Sequence, residues 1–287
     1  MVTIQSKIKG SLYGFAIGDA MGATTEFLNE EQIKRKYGEV RDIIGGGWLH
    51  LNPGEVTDDT QMTMCVCEAI EKFPESEIDM LDECCKNFVQ WFKSKPKDIG
   101  NCCMKVISNC AIYKCYESWQ TFAEDPESLG NGSLMRTMPI VLAGLSEDLA
   151  ISQGQLTHNN IMCDTVLSIY YRNLEKILFY GKLQSYATAL AEPTGHVGKT
   201  LNNALYWVQN TNTFSDAIIN PVNHGGDADT IAAITGSLAG ALYGYEAIPQ
   251  RWVDQLDPKV KADLDRYTEL FTKLLEKNVK KVCTNNE

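Results

Sequence analysis

Two short acidic clusters carry the chemistry that this sequence offers most plainly. Thr57, Asp58 and Asp59 close the stretch GGGWLHLNPGEVTDDTQM, and Asp227, Asp229 and Thr230 lie far downstream in GGDADT. Each cluster precedes a run of apolar residues at helical spacing, so each supplies two carboxylates and a hydroxyl at a helix start. Capping explains part of this, because Asp and Thr satisfy free N–H groups and complement the helix dipole. A cap needs one oxygen, however, and each cluster provides several. Four carboxylates and two hydroxyls are hard donors suited to Mg²⁺ or Mn²⁺, with too few soft ligands for zinc. If the two helix starts meet, they can hold two divalent cations, which offset the repulsion between adjacent acids.

The elements that must position these residues read as helices. Gly10, Gly14, Gly18 and Gly22 recur every fourth residue on one face, a stripe that predicts close backbone packing against another helix. Asp19 and Glu26 are acids embedded in that apolar segment. Apolar periodicity predicts further helices over 62–73, 78–93, 101–119, about 136–145, 160–180, 197–209, 229–244 and 258–281. Hairpin signals are nearly absent, so the fold class is all-α. The 287 residues, 44% hydrophobic, allow a sizeable core. No linker composition divides them, and one domain over 1–287 is expected.

A net charge of −11 disfavours nucleic acid or an anionic membrane as partner, and requires local N–H groups or cations for any anionic substrate. The chain has no secretory h-region and no apolar stretch long enough for a bilayer, which makes a cytoplasmic protein the expectation. Ten cysteines include no CxxC pair and read as reduced core thiols.

Three weaker signals remain. SLGNGSLMR brackets Asn131 with Gly130 and Gly132, a tight turn whose amides can cradle phosphate or ribose, with Ser133 adding a hydroxyl. Arg136 behind it reads as a surface charge or a phosphate contact. His158 in LTHNN and His224 before GGDAD read first as structural hydrogen-bonders, while Asp98 and Asn101 flank a turn glycine.

Taken in order, GFAIGDAMGATTEF, GGGWLHLNPGEVTDDTQM, WFKSKPKDIGN, GNGSLMR, LTHNN and VNHGGDADTIAAITGSLAGALYG resemble the ADP-ribosylglycohydrolases over nearly the whole chain. The resemblance implies an all-α fold with two Mg²⁺ or Mn²⁺ ions at the base of a cleft, held by Thr57, Asp58, Asp59, Asp227, Asp229 and Thr230. It places Glu26 beside the metals. It assigns Asp98, Asn101, the loop Gly130–Asn131–Gly132–Ser133 and His158 to binding or processing ADP-ribose. The implied reaction removes ADP-ribose from a mono-ADP-ribosylated protein, cleaving the N-glycosidic bond to arginine. Asp59 or Asp229 would orient or deprotonate the attacking water, and Asp98 would transfer a proton to the ribose ring oxygen or leaving group. Hydrolysis of O-linked ADP-ribose, on serine or in O-acetyl-ADP-ribose, and a catalytically silent ADP-ribose-binding relative are the alternatives. Cys102 and His196 stand where the family pattern suggests threonine and tyrosine.

Overall fold

The glycine stripe finds its partner at the other end of the chain. In the computed structural model, which describes residues 2–111 and 116–284, the chain forms α1 (Ile4–Gly22), α2 (Glu30–Tyr37), α3 (Asp58–Lys72), α4 (Glu77–Lys93), α5 (Asn101–Cys110), α6 (Tyr116–Phe122), α7 (Met138–Leu142), α8 (Glu147–Gly154), α9 (Ile161–Tyr180), α10 (Val197–Gln209), α11 (Phe214–His224), α12 (Ala228–Tyr243), α13 (Gln250–Gln255) and α14 (Pro258–Thr284). Helix α1 runs antiparallel to α12 with their backbones in contact. A Cβ added at Gly10, Gly14 or Gly18 would stand 2.2, 2.2 and 2.1 Å from the carbonyl oxygens of Gly240, Gly236 and Ala232. Small residues on both helices thus exchange helix propensity for close approach. Both helices are buried along most of their length.

This seam fixes the site, because the C-terminal end of α1 comes to lie against the N-terminal end of α12. Asp19, near the end of α1 and wholly buried, then anchors a third element. Its carboxylate accepts the backbone N–H of Thr57 at 3.1 Å, the N–H of Thr60 at 3.1 Å and the Thr60 hydroxyl at 2.5 Å. Asp19 therefore caps α3 from α1, and the first turn of α3 is held beside that of α12.

The remaining helices pack around one apolar core, and among the described residues there are isolated β-bridges but no strands. Two expected helices differ in extent. The run expected over 101–119 is two helices, because α5 ends at Cys110; residues 112–115 lie outside the described part. The run near 136–145 contracts to α7, preceded by a 3₁₀ turn at Asn131–Ser133. Helices α2, α8, α11 and α13 were not marked by periodicity. Cys65, Cys67, Cys84, Cys85, Cys103, Cys110 and Cys163 are free thiols in the interior, as expected of small core residues; Cys115 lies outside the described part. Among the described residues no helix is long and apolar enough to cross a membrane.

Candidate functional site

The three helix ends open into a cleft of about 470 Å³, lined by Glu26, Asp58, Asp98, Asn101, Gly130, Asn131, Gly132, His158, Asp227, Asp229 and Thr230 among others. On its floor, Glu26, Asp227 and Asp229 each present a carboxylate oxygen within 4.8 Å of the others. Asp58 accepts the N–H of Gly100 at 3.1 Å, which ties the start of α3 to the residue preceding α5. Asp59 lies one layer deeper, where Thr230 donates its hydroxyl to Oδ2 at 3.2 Å. Asn131 donates to Asp227 at 2.7 Å, so the GNGS loop is hydrogen-bonded directly to the acidic floor. Trp48 donates its indole N–H to Glu26 at 2.6 Å.

Capping does not account for these acids. Thr57 and Asp19 serve the first turn of α3, and Asp227, at the N-cap of α12, makes no side-chain cap bond. Instead the carboxylates crowd one another. Burial, then the charges of Asp98, Asp227 and Asp58, push Glu26 up to about 8 despite the Trp48 bond. Burial and Asp98 push Asp58 to about 7. Burial raises Asp227 to about 6 and Asp19 to about 6, each against opposing hydrogen bonds. Asp59 and Asp229 rise well above the ordinary carboxylate range through burial and the surrounding acids.

A sequence model of the ADP-ribosylglycohydrolase family matches residues 1–171 and 163–281. The chain belongs to the ADP-ribosylglycohydrolase family. It is 31% identical to the ADP-ribosyl-[dinitrogen reductase] glycohydrolase of Rhodospirillum rubrum, over 95% of this chain and 97% of that one. It is 32% identical to the ADP-ribosylarginine hydrolase Tri1 of Serratia proteamaculans (strain 568), over 87% and 75% of the two chains. A solved structure described as an ADP-ribosylglycohydrolase-related protein complex superposes with a TM-score of 0.79 at 27% identity, covering 95% of this chain and 99% of its own. The all-α expectation and the family resemblance therefore hold, and the protein is a hydrolase of this family.

The donor set fits a hard cation. One oxygen of Asp59 and one of Asp229, both buried, have no hydrogen-bond partner. Orphaned carboxylate oxygens in a buried acid cluster are costly unless a cation neutralises them. This acidic cluster can hold a metal. The metal-free protein accordingly has a predictable pH response. A carboxyl raised in the folded state holds a proton that the unfolded chain releases, so its stabilisation is complete below about pH 4 and is lost as pH rises through the folded values. Thermal midpoints in EDTA should fall between pH 5 and 8.5 as Asp19, Asp227, Asp58 and Glu26 ionise, and Mg²⁺ or Mn²⁺ should restore them most at the alkaline end. A midpoint in EDTA that stays flat or rises across that window would contradict this account.

Arg136 corrects its sequence reading, being neither at the surface nor among the residues that line the cleft. It is wholly buried over the Phe88 ring at 4.9 Å, and donates to Gly132 O at 2.6 Å and Thr157 Oγ1 at 2.7 Å. Thr157 therefore accepts from Arg136, leaving its own proton for Nδ1 of His158 at 2.8 Å. Burial and then the Arg136 charge lower His158 to about 3, which keeps the ring neutral. With Nδ1 accepting, its proton sits on Nε2. That nitrogen lies beneath the GNGS loop, where a Cβ at Gly130 would come within 3.0 Å of it.

Asn131 spends its N–H on Gly195 O, leaving Gly132 and Ser133 to open the 3₁₀ turn with the amides that such a turn does not satisfy internally. The Ser133 side chain is buried below the loop. Asp98 is half-buried, and burial raises its pKa. Cys102 lines the cleft, and His196 caps α10 by accepting from Gly198 N–H. His224 pairs with Glu30 at 2.6 Å and joins α11 to α2. Sequence reading did not find Trp48, the capping role of Asp19 or the Arg136–Thr157 link, since none has a local pattern; an indole after three glycines was the nearest clue.

Proposed function

We propose that the chain is a metal-dependent hydrolase of mono-ADP-ribosylated protein that cleaves the N-glycosidic bond to arginine and releases ADP-ribose. The observation that carries this reading is the buried, unpartnered oxygen on each of Asp59 and Asp229, beside the Glu26–Asp227–Asp229 cluster. Two divalent cations, Mg²⁺ or Mn²⁺, would be held by Thr57, Asp58, Asp59, Asp227, Asp229 and Thr230, whose oxygens suit hard ions. Bound there, they supply Lewis acidity and a water of lowered pKa. The name of the Serratia relative, an ADP-ribosylarginine hydrolase, supports the arginine linkage.

The chain's own groups divide the remaining work. Asn131 and the Gly100 N–H hold Asp227 and Asp58 in place. The Gly132 amide and the His158 Nε2–H face the anionic part of ADP-ribose as donors, with Ser133 buried behind them. Asp98, whose carboxyl burial raises above its ordinary value, gives a proton to the departing guanidine or to the ribose ring oxygen, and Asp59 or Asp229 orients the attacking water.

The deciding experiment compares arginine-linked and serine-linked mono-ADP-ribosylated peptides in Mn²⁺, with free ADP-ribose as the readout. Faster release from the arginine peptide is expected. Preference for the serine peptide would transfer the activity to the O-linked class, and binding without release from either would mark a reader rather than an enzyme.

A further inference from the structure

We propose that Phe27 and Trp48 form the subsite that grips the guanidinium of the arginine being released. This rests on the arginine-linked reading above and names the part of the cleft that would select it. Both side chains line the cleft, yet Phe27 is 64% and Trp48 47% exposed. Their rings stand 5.4 Å apart at 46°. Large aromatics are rarely presented to water in pairs without a use.

The chain holds them there at a cost. Phe27 has φ 62, a left-handed conformation in which a bulky residue is an outlier, and strain of this kind clusters at functional sites. It is fixed by two backbone bonds, Phe27 N–H to Gly226 O at 2.7 Å and Gly226 N–H to Leu28 O at 2.8 Å. Trp48 is delivered by Gly45, Gly46 and Gly47, three successive left-handed residues. Gly47 lies so close to α1 that a Cβ would stand 2.1 Å from Ala23 O. The Trp48 N–H bond to Glu26 at 2.6 Å then fixes the indole edge and leaves a face for a ligand.

Charge chooses the occupant. Glu26, bonded to Trp48, lines the same cleft as the two rings together with Asp58 and Asp98. An anion is disfavoured beside these acids, and finds its donors at the 3₁₀ turn and His158 of the same cleft. A flat cation is drawn both to the acids and to the aromatic faces. A guanidinium meets both requirements, whereas a serine oxygen or an acetyl group meets neither.

The test uses Trp48→Ala and Phe27→Gly in the Mn²⁺-loaded protein; glycine removes the ring while relieving the backbone, so folding is preserved in at least that variant. KM for an ADP-ribosylated arginine peptide should rise roughly 3- to 30-fold in each, the range of a partly desolvated cation–π contact. The Kd for ADP-ribose should move less than about twofold. Agmatine, which is arginine without its carboxylate, should inhibit the parent better than butylamine and lose that advantage in both variants. An unchanged KM overturns the proposal, and so does a parallel loss of ADP-ribose affinity, which would put the nucleotide on the rings. Agmatine binding to the parent, followed by tryptophan fluorescence with Trp48→Ala as reference, separates this subsite from the activity. Agmatine bound at Trp48 by a parent that does not hydrolyse the arginine peptide keeps the subsite and removes the function, whereas hydrolysis without agmatine binding does the reverse.

Discussion

Asp229→Asn should abolish ADP-ribose release and at the same time raise the thermal midpoint of the cation-free protein. The two effects have one origin. Asp229 is 2% exposed, one of its oxygens has no partner, and Glu26, Asp59 and Asp227 add to burial in opposing its charge. The amide keeps the shape, removes the charge and can donate to a neighbouring carboxylate, so the metal-free fold gains. A gain of 1 kcal/mol corresponds to roughly 2–4 °C in a chain of this size. The same change removes a charged oxygen donor from the cation site, and the loss of rate should exceed about 100-fold, the upper end for an outer-shell partner. Divalent cation should also lose most of its power to raise the midpoint. A misfolded variant would lose both activity and midpoint, so the opposite signs identify the mechanism. Activity within tenfold of the parent, measured at saturating Mn²⁺, would exclude Asp229 as a required ligand.

Much of this site was legible because it rests on short local patterns. The trios at 57–59 and 227–230 stand at helix starts, as their positions before apolar periodic runs implied. The glycine stripe announced close packing, and the small residues of α12 supplied the partner. What stayed hidden depends on contacts between distant segments. Asp19 shows only as an acid among apolar residues; its role needs the first turn of α3 to arrive from 38 residues away. Arg136 looks like any surface arginine until α8 and the LTHNN turn close over it. Trp48 reaches Glu26 only because the glycine loop folds back on the end of α1.

The missed helices have equally physical causes. Helix α2 buries only Ile33, and its capping box at Asn29 and Gln32 is a weaker sequence signal than an apolar face. Helix α11 contains Pro221, which reads as a breaker, although it falls in the last turn. Helices α8 and α13 are 8 and 6 residues long, too short for a period to repeat convincingly.

The seam between α1 and α12 yields the other large effect, and its sign is the reverse of what helix propensity alone would give. In an ordinary helix interior Gly→Ala stabilises by about 1 kcal/mol. Here a Cβ at Gly18 would lie 2.1 Å from Ala232 O and 2.4 Å from its carbonyl carbon. Backbone cannot rotate away as a side chain can, so the two helices must separate, and overpacking of this kind costs about 1–3 kcal/mol or more. Gly18→Ala should therefore lower the melting midpoint by several degrees, on the scale of roughly 2–4 °C per kcal/mol. Gly10→Ala makes an equivalent clash with Gly240 O at 2.2 Å, but eight residues and about 12 Å further along the helix. The pair separates stability from positioning. Both variants should melt early, while Gly18→Ala should lose far more hydrolysis at a temperature where both remain folded, because it displaces Asp19 and Glu26 relative to Asp227 and Asp229. Equal activity in the two would mean that the acid cluster is held by its own loops rather than by the seam. A midpoint at or above the parent's for Gly18→Ala would show that the helices yield without cost, and that the glycine stripe does not hold the site.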